Sequence, residues 1–362
     1  MRPTPTFSLI MRFQMRLYDS LMRPLLFGLS PDRSHALAHA ALRLRAPWRA
    51  MTAIGGLNVA EPRLRTRFAG IDLPNPIGLA AGFDKNCELI GALSCLGFGF
   101  ITVGSIMPQP RYGNPFPRLV RYPDTQSLAD AMGVPSRGRD YCVTRLRAGP
   151  RHATPLLANV GGFSADEIAD GFLAVEPHVD AVEISLMCPN VTPGERFDEL
   201  ALLRDVLARI AGRRKPAIVR VPNDTAVAPD RLAELIERCI AAGIDGLKVA
   251  GGKPVAEPRL GTGQGTLHGG AIFERALTNV ERAAALARGR IPIKGNGGVM
   301  RGADAFAMLR AGATCVDLYS AFVYRGWSVA RDINRELLDA LQGQSVTDTV
   351  AASPPARQRA QA

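Results

Sequence analysis

The sequence predicts an α/β fold, a closed (β/α)8 TIM barrel with an N-terminal helical extension. Three observations carry this reading. From Asn75 onward, short apolar runs alternate with amphipathic helical stretches. Eight such runs occur, enough to close a parallel barrel. The last runs end in loops of small residues, where such a barrel keeps its phosphate site.

Taken in order, residues 1–50 read as an amphipathic helical extension. Over Phe7–Phe27, Leu9, Phe13, Leu17, Leu21 and Leu25 recur at helical spacing, with arginines around the rest of the wheel. Pro24 kinks or splits this helix, because proline has no N–H to give. Ser30-Pro31-Asp32 caps a second helix running to about Arg45. A basic amphipathic pair suits a membrane interface; a helical cap packed on the main domain is the plain alternative. Residues 51–74 read as a connection with a short antiparallel pair, and 51–343 as the barrel domain. Its strands are expected at Ile77–Ala81, Phe100–Gly104, Leu156–Val160, Val182–Leu186, Ala217–Val221, Gly246–Ala250, Ile291–Gly295 and Cys315–Tyr319. Helices are expected at Glu88–Leu96, Ala165–Leu173, Asp198–Ala211, Pro229–Ala242, Phe273–Ala287, Ala303–Ala311 and Ser328–Leu341. Residues 344–362 are polar and read as a disordered tail.

A net charge of +11 points to an anionic partner: a membrane surface or a phosphate-bearing cofactor. Blocks that interleave basic and aromatic residues are missing, which argues against nucleic acid. Six cysteines without a CxxC pair argue for a reducing compartment and against a disulfide framework. No metal-ligand spacing joins the cysteines and histidines. The longest apolar runs are too short to span a membrane, and the N-terminus does not read as a secretory signal.

The chemistry should lie where strands end. The stretch Val182–Gly194 is a buried run that breaks into Cys188-Pro189-Asn190 and a Thr192-Pro193-Gly194 turn. It presents one thiol in a polar loop, as an acid/base or nucleophile; a free cysteine is otherwise a small buried apolar residue. The first strand ends in Ala80-Ala81-Gly82-Phe83-Asp84-Lys85, small residues that admit a planar ligand beside a cation. Further on stand Asn159 and Arg220, then the loops at His268-Gly269-Gly270, Asn296-Gly297-Gly298 and Tyr319-Ser320-Ala321.

From about Leu17 to Leu341 the chain resembles the dihydroorotate dehydrogenase family. The motifs are NPIGLAAGFDKNCE (75–88), PRLVRYPDTQSLADAMG (117–133), SLMCPNVTPG (185–194), NGGV (296–299) and AGATCVDLYSAFVYRG (311–326). The N-terminal helices resemble the membrane-associated extension of the quinone-dependent branch, and Arg118 and Arg121 match its PRLFR-type segment, where an arginine lies near the quinone tunnel. The resemblance implies flavin mononucleotide (FMN) as cofactor. Ala81, Gly82, Lys85, Ser105, Asn159, Ser185 and Arg220 would lie along its ring and ribityl chain. Gly269, Gly298, Tyr319 and Ser320 would hold its phosphate. It also implies a small-molecule substrate touching Lys85, Asn190 and Asp130, Cys188 as the base, and a membrane quinone as electron acceptor. The expected setting is peripheral, on the cytoplasmic face of the inner membrane, as monomer or homodimer.

The substrate side departs from the family pattern. Asp130 opens a stretch where the family is asparagine-rich, Ser185 replaces an asparagine, and Ala250-Gly251-Gly252 replaces a Thr-Asn-Thr run. Arg220 stands for a lysine, keeping the charge in another shape. Lost amide partners at about 1–3 kcal/mol each would remove most affinity for orotate. A thiol at position 188, where the quinone branch carries serine, is the better base at neutral pH. The leading expectation is an FMN oxidoreductase acting on something other than dihydroorotate. Genuine dihydroorotate oxidation and a non-catalytic barrel are the alternatives.

Overall fold

The eight expected runs form the barrel. In the computed structural model, which describes residues 17–149, 152–186, 199–221 and 229–353, the strands are β1 Ile77–Leu79, β2 Phe100–Ile106, β3 Leu156–Gly161, β4 Ala181–Ser185, β5 Ala217–Val221, β6 Gly246–Val249, β7 Ile293–Asn296 and β8 Ala313–Leu318. Each pairs in parallel with the next, and β8 closes on β1 through Val316–Ile77 and Leu318–Leu79. Strands covered on both faces need continuous apolar runs, and β4 and β6 are buried at every residue.

The helices outside follow the same logic. Ala165–Val175 starts at Ser164, whose side chain accepts the Glu167 N–H, and buries Ile168, Phe172 and Val175 on one face. The helix expected at Glu88–Leu96 shrinks to Ile90–Leu93. The buried Asp84 carboxylate takes the Glu88 and Leu89 N–H groups at 2.9 and 2.8 Å, so the chain there is committed to a loop. The tail also differs from expectation: Val346–Ala351 is helical, with a reciprocal Ser345–Asp348 cap.

Two excursions add a roof that the strand–helix alternation did not announce. Leu119–Tyr122 and Ser127–Asp130 leave the barrel after β2, and Lys253–Ala256 and Gln264–Gly269 leave after β6. They combine in one antiparallel sheet, in which Ser127–Asp130 pairs with Gln264–Gly269 (Thr266 opposite Asp130, His268 opposite Leu128). Side chains alternate across a strand, so Leu128, Asp130, Thr266 and His268 share the face that looks into the barrel mouth.

The N-terminal segment is pinned to the barrel. Pro24 is preceded by a π-turn, Tyr18–Met22, in which the Arg23 N–H reaches the Tyr18 carbonyl; the helix resumes over Arg23–Phe27. The Tyr18 hydroxyl donates to the Val323 carbonyl at 2.5 Å, and its ring packs edge-on against Trp327. Helix Pro31–Leu42 follows, capped by Ser30 as expected. A further helix, Arg45–Gly55, runs across the expected boundary at residue 50, and Thr52 donates to the Cys95 carbonyl. The Arg121 guanidinium binds the Leu29 carbonyl at 2.9 Å and lies over the Phe27 ring. The Arg118 N–H donates to the Asp32 carboxylate at 3.2 Å.

Candidate active site

One cavity opens at the C-terminal ends of the barrel strands. Ala81, Gly82, Lys85, Ser105, Asn159, Ser185, Arg220, Gly269, Gly298, Tyr319, Ser320 and Asp130 all line it. Cys188 and Asn190, expected as base and substrate contact, lie outside the described residues.

The first wall is the loop after β1. Gly82 has φ +102° and gives its N–H to Gly104; only glycine adopts this backbone without strain. Asp84 fixes the rest of the loop through the amides named above. Lys85 donates to the Gly82 carbonyl. Burial pushes its pKa down to about 8, against the pull of Asp130 and Asp84.

The opposite wall is built of backbone. Gly298 has φ +72°, and a Cβ there would come within 2.5 Å of the Phe273 backbone. Gly269 has φ +99°, and a Cβ would meet the Gln126 carbonyl at 2.5 Å. Ser320 opens the helix Ser320–Arg325, and first-turn N–H groups have no partner inside their own helix. These loops follow β6, β7 and β8 and offer backbone donors to a phosphate, so the residues present fit the end of a nucleotide cofactor.

The floor is charged. Glu183 on β4, Lys248 on β6, Lys294 on β7 and Asp317 on β8 are buried together. Lys294 Nζ lies 2.5 Å from Glu183 Oε2 and 3.4 Å from Asp317 Oδ2; Lys248 Nζ lies 3.1 Å from Glu183 Oε1 and 3.3 Å from Asp317 Oδ2. Burial alone would raise the Glu183 pKa, but Lys248 and Lys294 outweigh it and hold it down to about 2. Burial opposes the Lys294 charge too, and Glu183 and Asp317 carry its pKa above the ordinary value. The cluster also sets side chains facing the cavity. Asn159 Nδ2 donates to Glu183 Oε1 at 2.7 Å and to Ser185 Oγ at 3.0 Å, and Asn296 Nδ2 donates to Asp317.

On the roof, His268 Nε2 lies 3.0 Å from Asp130 Oδ1, and the Met132 N–H reaches Asp130 Oδ2 at 3.3 Å. Burial would raise the Asp130 pKa; the His268 hydrogen bond leads the groups that hold it below the usual value.

Sequence reasoning missed four of these residues, Glu183, Lys248, Lys294 and Asp317, and named His268 only as part of a small-residue loop. A signal existed for the four. Each is a lone charged residue inside an otherwise apolar strand run, and the two signs balance. Buried charges need partners.

A closed barrel with backbone anion donors and cations gathered at its C-terminal mouth is a cofactor-dependent (β/α)8 enzyme. Comparison makes the class specific. Residues 63–341 match the family model described as dihydroorotate dehydrogenase. The chain is 36% identical over 342 residues to a dihydroorotate dehydrogenase (quinone) of Methylococcus capsulatus, covering 88% of this chain and 98% of that one. It is 38% identical over 337 residues to the protein of the same name from Cereibacter sphaeroides, covering 87% and 91%. The crystal structure of an Eimeria tenella DHODH in complex with ferulenol superposes with a TM-score of 0.75 at 26% identity, covering 90% of this chain and 98% of that one. The chain belongs to the dihydroorotate dehydrogenase family, an oxidoreductase family of FMN-dependent dehydrogenases acting on CH–CH donors.

Proposed function

We propose that this protein is an FMN-dependent oxidoreductase that oxidises a CH–CH bond of a small molecule other than dihydroorotate and passes electrons to a membrane quinone. The observation that carries the cofactor assignment is the convergence of Ala81, Gly82, Lys85, Ser105, Asn159, Ser185, Arg220, Gly269, Gly298, Tyr319 and Ser320 on one cavity. Gly269, Gly298, Tyr319 and Ser320 would hold the phosphate; the remaining seven would line the ring and ribityl chain. FMN bound there supplies the hydride acceptor. Cys188 Sγ takes the substrate proton as thiolate, and Asn190 binds substrate from the same loop.

The altered substrate is supported by Asp130, a carboxylate kept ionised in the cavity wall. The names of the relatives favour a second reading, oxidation of dihydroorotate itself. Quinone access is supported by a second cavity between Phe27, Leu29, Pro31, Phe116 and Arg121, which shares Leu119 with the first. Membrane contact is supported by Leu21, Leu25, Leu29, Leu37 and Leu44, large apolar side chains left exposed on the N-terminal segment.

The test is a visible spectrum followed by anaerobic titration. Bound flavin shows bands at roughly 370 and 450 nm. Bands that dihydroorotate leaves unbleached support the proposal. Bleaching by dihydroorotate establishes the second reading, and no bands after reconstitution with FMN refute both.

A further inference from the structure

Large apolar side chains left in solvent are not scattered over this protein. Eight are exposed among the described residues. Five belong to the N-terminal segment, two to the loop 107–118 between β2 and the roof, and only Leu173 lies elsewhere. The two on the loop are Tyr112, 96% exposed, and Phe116, 64% exposed. The proposed function uses neither.

The loop does not expose them through slackness. Arg111 and Ser136 exchange backbone hydrogen bonds at 2.8 and 3.0 Å, the Asn114 N–H donates to the Met132 carbonyl at 3.0 Å, and the Gly261 N–H donates to the Pro117 carbonyl at 2.8 Å. Gly113, with φ +84°, turns the chain between the two rings, a backbone that glycine adopts without strain. A tip fixed in this way presents its rings at little further cost in order.

The surroundings indicate what covers the rings. Phe116 and Pro117 line one side of the second cavity, and Phe27, Leu29 and Ala36 of the N-terminal segment line the other. The loop and the exposed leucines therefore share a rim, joined where the Arg118 N–H donates to the Asp32 carboxylate. The groove carries Arg33, Arg121 and Arg259 against Asp32, and the Arg118 guanidinium lies 4.1 Å from the centre of the Phe116 ring. Glu257 offsets Arg259, so the rim keeps a positive excess. Aromatic rings flanked by arginines suit the headgroup layer of an anionic bilayer, where the rings reach the acyl boundary and the guanidinium groups stay with the phosphates.

We infer that the roof loop is a second membrane contact, in which Tyr112 and Phe116 enter the headgroup layer of an anionic bilayer beside the leucines of the N-terminal segment. The inference rests on the proposed membrane contact for the bilayer and goes beyond it by bringing the barrel itself to the surface. Contacts on two separate elements raise each other's effective concentration and hold the barrel in one orientation.

The full-length protein is titrated with vesicles of phosphatidylethanolamine and phosphatidylglycerol. Tyr112→Ser combined with Phe116→Ser should weaken binding at least tenfold and leave the melting temperature unchanged, because both rings are exposed. In Tyr112→Trp, the emission added over wild type should shift to the blue on vesicles and be quenched by lipids brominated in the acyl chains. Leu173→Trp, at the exposed position outside this face, should show neither effect. Binding weakened less than tenfold, or a tryptophan at 112 that behaves like one at 173, overturns the inference and leaves the N-terminal contact untouched. Wild-type protein that ignores these vesicles overturns both contacts. A dimer in solution that the serine variant splits gives the face to a second copy and overturns the inference too.

Discussion

Replacing Lys294 with methionine isolates what the buried charges contribute. Lys294 is fully buried, with Nζ 2.5 Å from Glu183 Oε2, 3.4 Å from Asp317 Oδ2 and 3.4 Å from Thr102 Oγ1. With both lysines the cluster sums to zero; without Lys294 it carries one negative charge in a desolvated core. Two opposite charges at such a distance attract by about 6 kcal/mol at an effective dielectric near 20. Dehydrating the ammonium offsets part of that, and methionine retains much of the packing of the stem. Breaking a buried pair from one side costs about 3–5 kcal/mol in comparable sites, a large part of a typical folding free energy of about 5–15 kcal/mol. Urea unfolding followed by circular dichroism, at a fixed FMN concentration so that ligand binding does not confound it, should show that loss. Adding Glu183→Gln leaves Lys248 with Asp317 and restores neutrality, so the double variant should recover at least half of the deficit. A single-variant loss below about 1 kcal/mol, well under the range for buried pairs, or a double variant no better than the single, would refute the reading of an ionised, mutually compensated cluster.

Three further predictions address the surface, the proposed base and the loop lysine. Leu21→Glu, Leu25→Glu and Leu37→Glu together should abolish cosedimentation with anionic phospholipid vesicles and leave the melting temperature within a few degrees, because these side chains are exposed. Cys188→Ala should slow flavin reduction by substrate about 10²–10⁴-fold, the usual contribution of a positioned base, while the flavin spectrum of the resting protein persists; unchanged reduction removes the assignment. Lys85 is shifted from 10.5 to about 8, so the folded protein releases this proton before the unfolded chain does. Its contribution to stability therefore rises as pH climbs from about 8 to about 10.5, and urea midpoints of the flavin-free protein should climb less steeply over that window in Lys85→Met than in the wild type.

The barrel was legible because its strands are covered on both faces, which forces unbroken apolar runs such as Ala217–Val221 with turns at either end. The roof was not. Its strands are four to six residues long, and Ser127–Asp130 finds its partner in Gln264–Gly269, a pairing fixed by tertiary approach and not by local pattern. The meeting of residues such as Gly82, Lys85, Asn159, Gly298 and Ser320 on one cavity was legible through the family motifs and strand-end positions. The charged floor was visible only as oddities: one Glu, two Lys and one Asp interrupting separate strands. That they meet depends on the register that sets Lys248 beside Lys294 and Asn159 beside Glu183. The Asp130–His268 pair needed the roof before it could be seen at all.

The charge balance of the cavity singles out Arg220. Glu183, Lys248, Lys294 and Asp317 compensate one another, and the Lys85 charge is offset by Asp130 and Asp84. Arg220 stands opposite Lys248 in the β5–β6 register and lines the cavity, with no carboxylate partner among the described residues. Its charge is left to act on whatever occupies the site. An anionic form of the cofactor gains from it and a neutral form does not, so Arg220 should favour the reduced flavin when that state carries the extra negative charge. Arg220→Met should lower the two-electron midpoint potential by about 30–60 mV, since about 30 mV corresponds to 1.4 kcal/mol for such a couple. Arg220→Lys should restore much of the shift, because it keeps the charge while losing the planar fork. Dye-equilibrated photoreduction reads both. A potential unmoved in Arg220→Met would mean that the neutral cluster beneath does not leave this cation uncompensated, and the electrostatic account of the floor would fail with it.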